Sequence, residues 1–170
     1  RQYPVETRYV GRSRERLEDQ MARAIERALR ETNGSILAFL PGAGEIRRTA
    51  ERLSVADSVL IAPLFGALSP KEQDAAIRPC ASGRRKVVLA TDIAESALTI
   101  EGVSVVVDSG YARVPRYVPG GLSTELQTVR AAKANVDQRR GRAGRLGPGI
   151  CYRLWDEAET RGDPRWAGGP

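Results

Sequence analysis

Between positions 138 and 145 the chain reads Gln-Arg-Arg-Gly-Arg-Ala-Gly-Arg, four arginines and an amide around two glycines that let the backbone turn tightly. Arg142 and Arg145 stand three apart and project from one side if the segment is helical. An arginine pair held that way can grip a phosphate through parallel N–H···O bonds. It can also stabilise charge growing on a phosphoryl group in transfer. A basic surface loop is the plain alternative for an arginine cluster, but the Q-x-x-G-R-x-G-R spacing favours the chemical one. The surroundings agree. Residues 111–147 hold seven Arg and one Lys against Glu125 and Asp137, which accounts for the whole net charge of +6. One localised basic segment on an otherwise balanced domain points to polyphosphate or nucleic acid. Arg113, Arg116 and Tyr117 lie inside it, where a basic, aromatic-bearing ribbon could run along phosphates or between stacked bases. Solvated loop arginines explain Arg113 and Arg116 about equally well.

Other chemistries fall away by composition. The chain has no His, which removes histidine acid–base catalysis, Ser-His-Asp triads and most zinc sites. Cys80 and Cys151 are isolated in apolar surroundings, so neither a disulfide scaffold nor a metal site is expected. No G-x-x-x-x-G-K-[ST] phosphate loop is present, and Pro41-Gly42-Ala43-Gly44 lacks the lysine and the hydroxyl that such a loop needs. No run approaches the ~20 apolar residues of a membrane span, and no leader pattern opens the chain. A soluble, cytoplasmic protein is the expectation, without a membrane partner. A first residue other than Met fits a piece excised from something longer.

Positioning elements follow from periodicity. At 170 residues and 41% apolar content the chain suits one domain with one core. Val5–Val10, Ile36–Leu40, Ser58–Leu64, Lys86–Ala90, Val103–Val107 and Ile150–Trp155 read as strands, Ile36–Leu40 as a continuous apolar run covered on both faces. Between them, Leu17, Met21, Ile25, Ala28 and Leu29 recur at helical spacing, with Ser13 as cap and Asn33-Gly34 as a left-handed stop. Further helices are expected from Pro41-Gly42-Ala43-Gly44 through Leu53, from Ser69-Pro70 through Ile77, and over Ala131–Arg140. Strands alternating with helices predict a three-layer α/β domain with a parallel sheet. Tyr111–Val118 and Leu122–Val129, joined by Pro119-Gly120-Gly121, interrupt it as an inserted β-hairpin at about 111–129. The domain is expected to run through residue 159, with 160–170 as a linker or tail.

The motifs together resemble superfamily 2 helicases. Residues 138–145 are similar to motif VI; Thr91–Gly102 (TDIAESALTIEG) is similar to motif V of the DEAH-box branch, and Ile36–Ile46 to its motif IV. LFGALSPKEQDAAI (Leu64–Ile77) resembles the segment between motifs IV and V, and the combination of LSPKEQ, GVSVVVDSG and RLGPGICYRLW resembles the bacterial HrpB type. The resemblance covers about Val5 to Trp155 and implies a RecA-like fold, the second of two motor domains. It implies ATP with Mg2+ as the nucleotide, the ion being held by a missing N-terminal RecA-like domain. Single-stranded RNA or other nucleic acid is the implied partner.

Roles carry over by position. Arg142 and Arg145 resemble arginine fingers, and Gln138 the group that senses the γ-phosphate or positions water. Thr99, Glu101 and Ile77 fall where the family contacts the nucleotide, whereas Thr91, Asp92 and Gly42 fall where it contacts nucleic-acid phosphates. Arg113 and Arg116 on the hairpin are implied strand contacts. Asp156-Glu157-Ala158-Glu159 imitates a DEAH box by letters, but it follows the last strand and is set aside.

Three positions depart from the family pattern. Ala97 replaces a common Ser, Asp92 a common Asn, and Ile77 an aromatic residue over the adenine. A carboxylate at position 92 would repel a phosphate unless an arginine neutralises it. Two rivals stay open: another superfamily 2 motor, such as a flaviviral-type or DNA-repair helicase, and a binding module without catalysis. The LTIEG stretch argues against the first.

Overall fold

The computed structural model describes residues 2–81, 83–92, 100–121 and 124–162. The order is β1 (Val5–Tyr9), α1 (Leu17–Glu31), β2 (Ser35–Phe39), α2 (Ala43–Arg52), β3 (Val59–Leu64), α3 (Pro70–Ile77), β4 (Arg85–Ala90) and β5 (Val103–Asp108). Then come β6 (Tyr111–Tyr117), β7 (Thr124–Arg130), α4 (Lys133–Gly141), a 3-10 turn (Arg142–Gly144), β8 (Gly149–Arg153) and α5 (Glu157–Gly162). Among the described residues six strands form one sheet in the order β1-β8-β5-β2-β4-β3, and every adjacent pair is parallel. The expected α/β architecture is therefore the observed one, and β6 and β7 form the separate antiparallel hairpin.

Alternation sorts the strand side chains onto two faces. Ile36, Ala38, Val87, Leu89, Val105 and Val107 point to the side where Met21, Ile25 and Ala28 of α1 and Ile46 of α2 close the core. Leu37, Phe39, Val88, Ala90 and Val106 point the other way, against Ala76 of α3 and Ala143 beyond α4. Each large side chain buried this fully contributes about 1.5–3 kcal/mol. Both faces being covered explains why the central strands are continuous apolar runs.

Two details of α1 differ from expectation. Its N-cap is Arg16, without a side-chain cap, because the Ser13 hydroxyl accepts from the Glu15 N–H one turn too early. The helix leaves through Thr32 in extended geometry, and neither Asn33 nor Gly34 takes a positive φ. The Thr32 hydroxyl satisfies the Ala28 carbonyl instead, at 2.6 Å. By contrast, α3 opens at Ser69-Pro70 as the sequence implied, and the structure adds a full capping box between Ser69 and Glu72. Thr160, expected in a tail, lies inside α5 and accepts a bond from the Trp155 indole.

Candidate functional site

Because the sheet is parallel, the segments leaving β2, β4 and β5 emerge side by side at one edge. The Leu40 N–H donates to Ala90 O (2.8 Å) and the Ser109 N–H to Phe39 O (3.1 Å), which carries the ladder beyond the strands. Gly42, Thr91, Asp92 and the root of the hairpin are thus brought together. The opposite edge gathers the segments entering the strands, where the Ser35 N–H donates to Gly102 O beside exposed Glu101. α4 crosses between the two edges. It starts where the Ala131 N–H meets Gly110 O and passes into the turn whose Gly144 carbonyl accepts from the Tyr3 N–H.

Arg139 is the residue that this crossing turns inward. Its side chain is fully buried and donates to Asp108 Oδ1 (2.8 Å), to Asp92 Oδ1 and to the Tyr111 carbonyl (3.1 Å). Its guanidinium also lies 5.0 Å from the centre of the Phe39 ring. One cation therefore ties together the ends of β2, β4 and β5 and the first residue of the hairpin. It also meets the condition that the sequence set for Asp92, whose carboxylate is paired with an arginine rather than left facing a phosphate. Sequence reasoning gave Arg139 no role. The signal was nevertheless there: Val136, Arg139 and Ala143, spaced three and four apart, are the buried stripe of α4 and its extension.

The remaining motif VI groups separate. Gln138 is exposed one helical turn before Arg142. Arg142 is only 4% exposed, whereas Arg145 is exposed. The two line one small hollow with Leu37, Ile100, Val103 and Leu146. Ile77 is partly buried against the core cluster that contains Leu37 and Ile100 rather than standing free. Close by, Lys86 is buried and donates to the Arg78 carbonyl at the end of α3. Burial lowers its pKa, while Cys80 and Glu101 oppose the shift. Thr99 and Ala97 lie outside the described residues. The structure thus brings Ile77, Glu101, Arg142 and Arg145 to one end of this face and Gly42, Thr91 and Asp92 to the other.

The hairpin residues also separate. Arg113 bonds Glu45 Oε2 (2.7 Å) and the Thr128 hydroxyl (3.0 Å). Arg116 lies opposite Glu125 on an exposed stretch, and Tyr117 is 83% exposed near the tip. In the acidic imitation box, Glu159 pairs with Arg12 (3.0 Å) and Arg130 (3.0 Å), a structural role. Among the described residues no group of three or more His, Cys, Asp or Glu is placed to hold a metal ion. No helix there is long and apolar enough to cross a membrane.

The helicase conserved C-terminal domain family matches residues 17–147. The chain belongs to this family. It is 49% identical over 157 residues to the ATP-dependent RNA helicase HrpB of Escherichia coli, covering 91% of this chain and 19% of that protein. An HrpA homolog of Haemophilus influenzae, also an ATP-dependent RNA helicase, is 38% identical over 98% of this chain and 13% of its own length. The crystal structure of the E. coli DExH-box NTPase HrpB superimposes with a TM-score of 0.92 at 45% identity, covering all of this chain and 21% of that one. The fold is therefore the RecA-like one, and the domain is the helicase C-terminal domain of the DEAH-box type. The chain spans about a fifth or less of the length of these relatives.

Proposed function

We propose that this chain acts as the second motor domain of an ATP-dependent RNA helicase. In this reading the N-terminal RecA-like domain of the same protein binds ATP with Mg2+ and holds the ion. Arg142 and Arg145 reach across the cleft to the γ-phosphate, Gln138 positions the attacking water, and Glu101, Thr99 and Ile77 meet the rest of the nucleotide. Water attacks phosphorus as the bond to the β-phosphate oxygen breaks, and the two guanidinium groups stabilise the charge that shifts among the phosphoryl oxygens. Gly42, Thr91 and the arginine-neutralised Asp92 meet a single strand at the far edge, flanked by Arg113 and Arg116 of the hairpin. The observation that carries this reading is α4. It leads directly into the Arg142–Arg145 turn at one edge, and its Arg139 is bonded to Asp92 and the hairpin root at the other.

In the full-length protein, Arg145→Ala and Arg142→Ala should each lower RNA-stimulated kcat by about 10³–10⁵ with little change in KM. Lysine should rescue poorly, because an ammonium lacks the planar fork. The burial of Arg142 favours a second reading for that residue, in which it holds the turn against the sheet. The melting temperature of the same variants separates the two. A stable, inactive protein supports the finger assignment, whereas a stable and fully active one refutes it. The chain alone, lacking a phosphate loop, should hydrolyse no ATP.

A further inference from the structure

Arg113 does not extend from the hairpin into solvent. Its guanidinium rests on Gly42 so closely that a Cβ built on the glycine would sit 2.2 Å from Nη1. It is held there from two sides. The Thr128 hydroxyl across the hairpin accepts from Nε (3.3 Å) and Nη2 (3.0 Å), and Glu45, in the first turn of α2, accepts from Nη2 through Oε2 (2.7 Å). The Glu45 carboxylate is poorly satisfied in return. Its other oxygen, Oε1, is buried without a hydrogen-bond partner, and Arg48 stands 3.6 Å off, bonded chiefly to Glu18. A buried acceptor left unpaired is costly.

We propose that Glu45 occupies, in the strand-free protein, the place of a nucleic-acid phosphate on Arg113, and yields it when a single strand binds. The inference rests on the reading that this edge of the sheet receives the strand. The pair lies on Gly42, which the ladder between Leu40 and Ala90 sets beside Thr91 and Asp92. A phosphodiester offers two non-bridging oxygens to the guanidinium fork, whereas Glu45 engages one nitrogen through one oxygen. Thr128 can keep Arg113 in position throughout. The displaced carboxylate has Arg48 within reach, one turn along α2. No covalent bond forms or breaks. One anion replaces another, and the hairpin is unlatched from α2 as the strand is latched to the hairpin.

The test measures binding of a fluorescent oligo-uridine strand to the full-length protein, without nucleotide and at fixed salt. Glu45→Gln should tighten binding by about two- to fivefold, the range that freeing a partly exposed ion pair allows. Glu45→Asp retains the charge but shortens the side chain away from Arg113, so it should also tighten binding. Neither change should have any effect on an Arg113→Gln background. Inorganic phosphate at matched ionic strength should not displace the strand. Unchanged affinity in both Glu45 variants, or a gain that persists without Arg113, overturns the exchange while leaving strand binding intact. Displacement by free phosphate overturns the strand as the occupant. A wild-type protein that binds no strand at all overturns the functional reading itself, and the exchange with it.

Discussion

Arg139→Ala separates architecture from chemistry within motif VI. The change removes one partner of an ion pair in which both side chains are fully buried and strips the buried Asp108 carboxylate of that arginine. Breaking a buried pair from one side costs about 3–5 kcal/mol. Set against a typical total stability of about 5–15 kcal/mol, this is a large fraction. At about 2–4 °C per kcal/mol for a chain of this length, thermal unfolding followed by circular dichroism should fall by about 6–20 °C. Arg145→Ala, four residues past the end of α4 and exposed, should stay within about 2 °C of the parent. A repair provides the internal control. Asp108→Asn on an Arg139→Met background removes the stranded charge while keeping an acceptor for the Gly110 N–H. It should recover part of the loss. An Arg139→Ala protein that melts within about 2 °C of the parent refutes the reasoning, as does an Asp108→Asn change that deepens the Arg139→Met defect.

Acid should weaken the fold through Glu18 and Asp137. Burial acts to raise both pKa values, but hydrogen bonds from Arg48 to Glu18, and from Lys133 and Arg153 to Asp137, outweigh it and lower them. A lowered folded pKa contributes stability that is complete above the ordinary carboxylate value of about 4 and is lost as pH falls through the lowered one. Glu18→Gln should therefore flatten the acid limb of melting temperature against pH, and an unaltered limb would count against the pairing. Burial pushes the Cys151 thiol up to about 12, whereas Cys80 is only half-buried. At pH 8 a thiol reagent should titrate one cysteine in the native chain and both in denaturant; two fast thiols in the native chain would contradict the core assignment.

The sequence alone determined the alternation of strands and helices, because strands covered on both faces must be written as unbroken apolar runs, and Val87–Ala90 and Val105–Val107 are such runs. It also determined the capped start of α3 and the inserted hairpin, since Ser69-Pro70 and Pro119-Gly120-Gly121 act through local backbone geometry. The motif strings were legible for the same reason: the spacing of Gln138, Arg142 and Arg145 is a property of the chain. What the chain could not settle was which arginine faces which way. Arg139, Arg142 and Arg145 are one residue type within seven positions, yet one is the buried hub of three strand ends, one is tucked into a hollow and one is exposed. That sorting depends on strand order. Only when β5, β2 and β4 lie adjacent do Asp108, Phe39 and Asp92 converge on a single guanidinium, and a carboxylate's partner is decided by convergence in space rather than by spacing. The hairpin follows the same rule. Arg113 and Arg116 look alike along the strand, but alternation turns one onto Gly42 and Glu45 and the other to the opposite face, where burial, charge pairing and the freedom to meet a phosphate are all different.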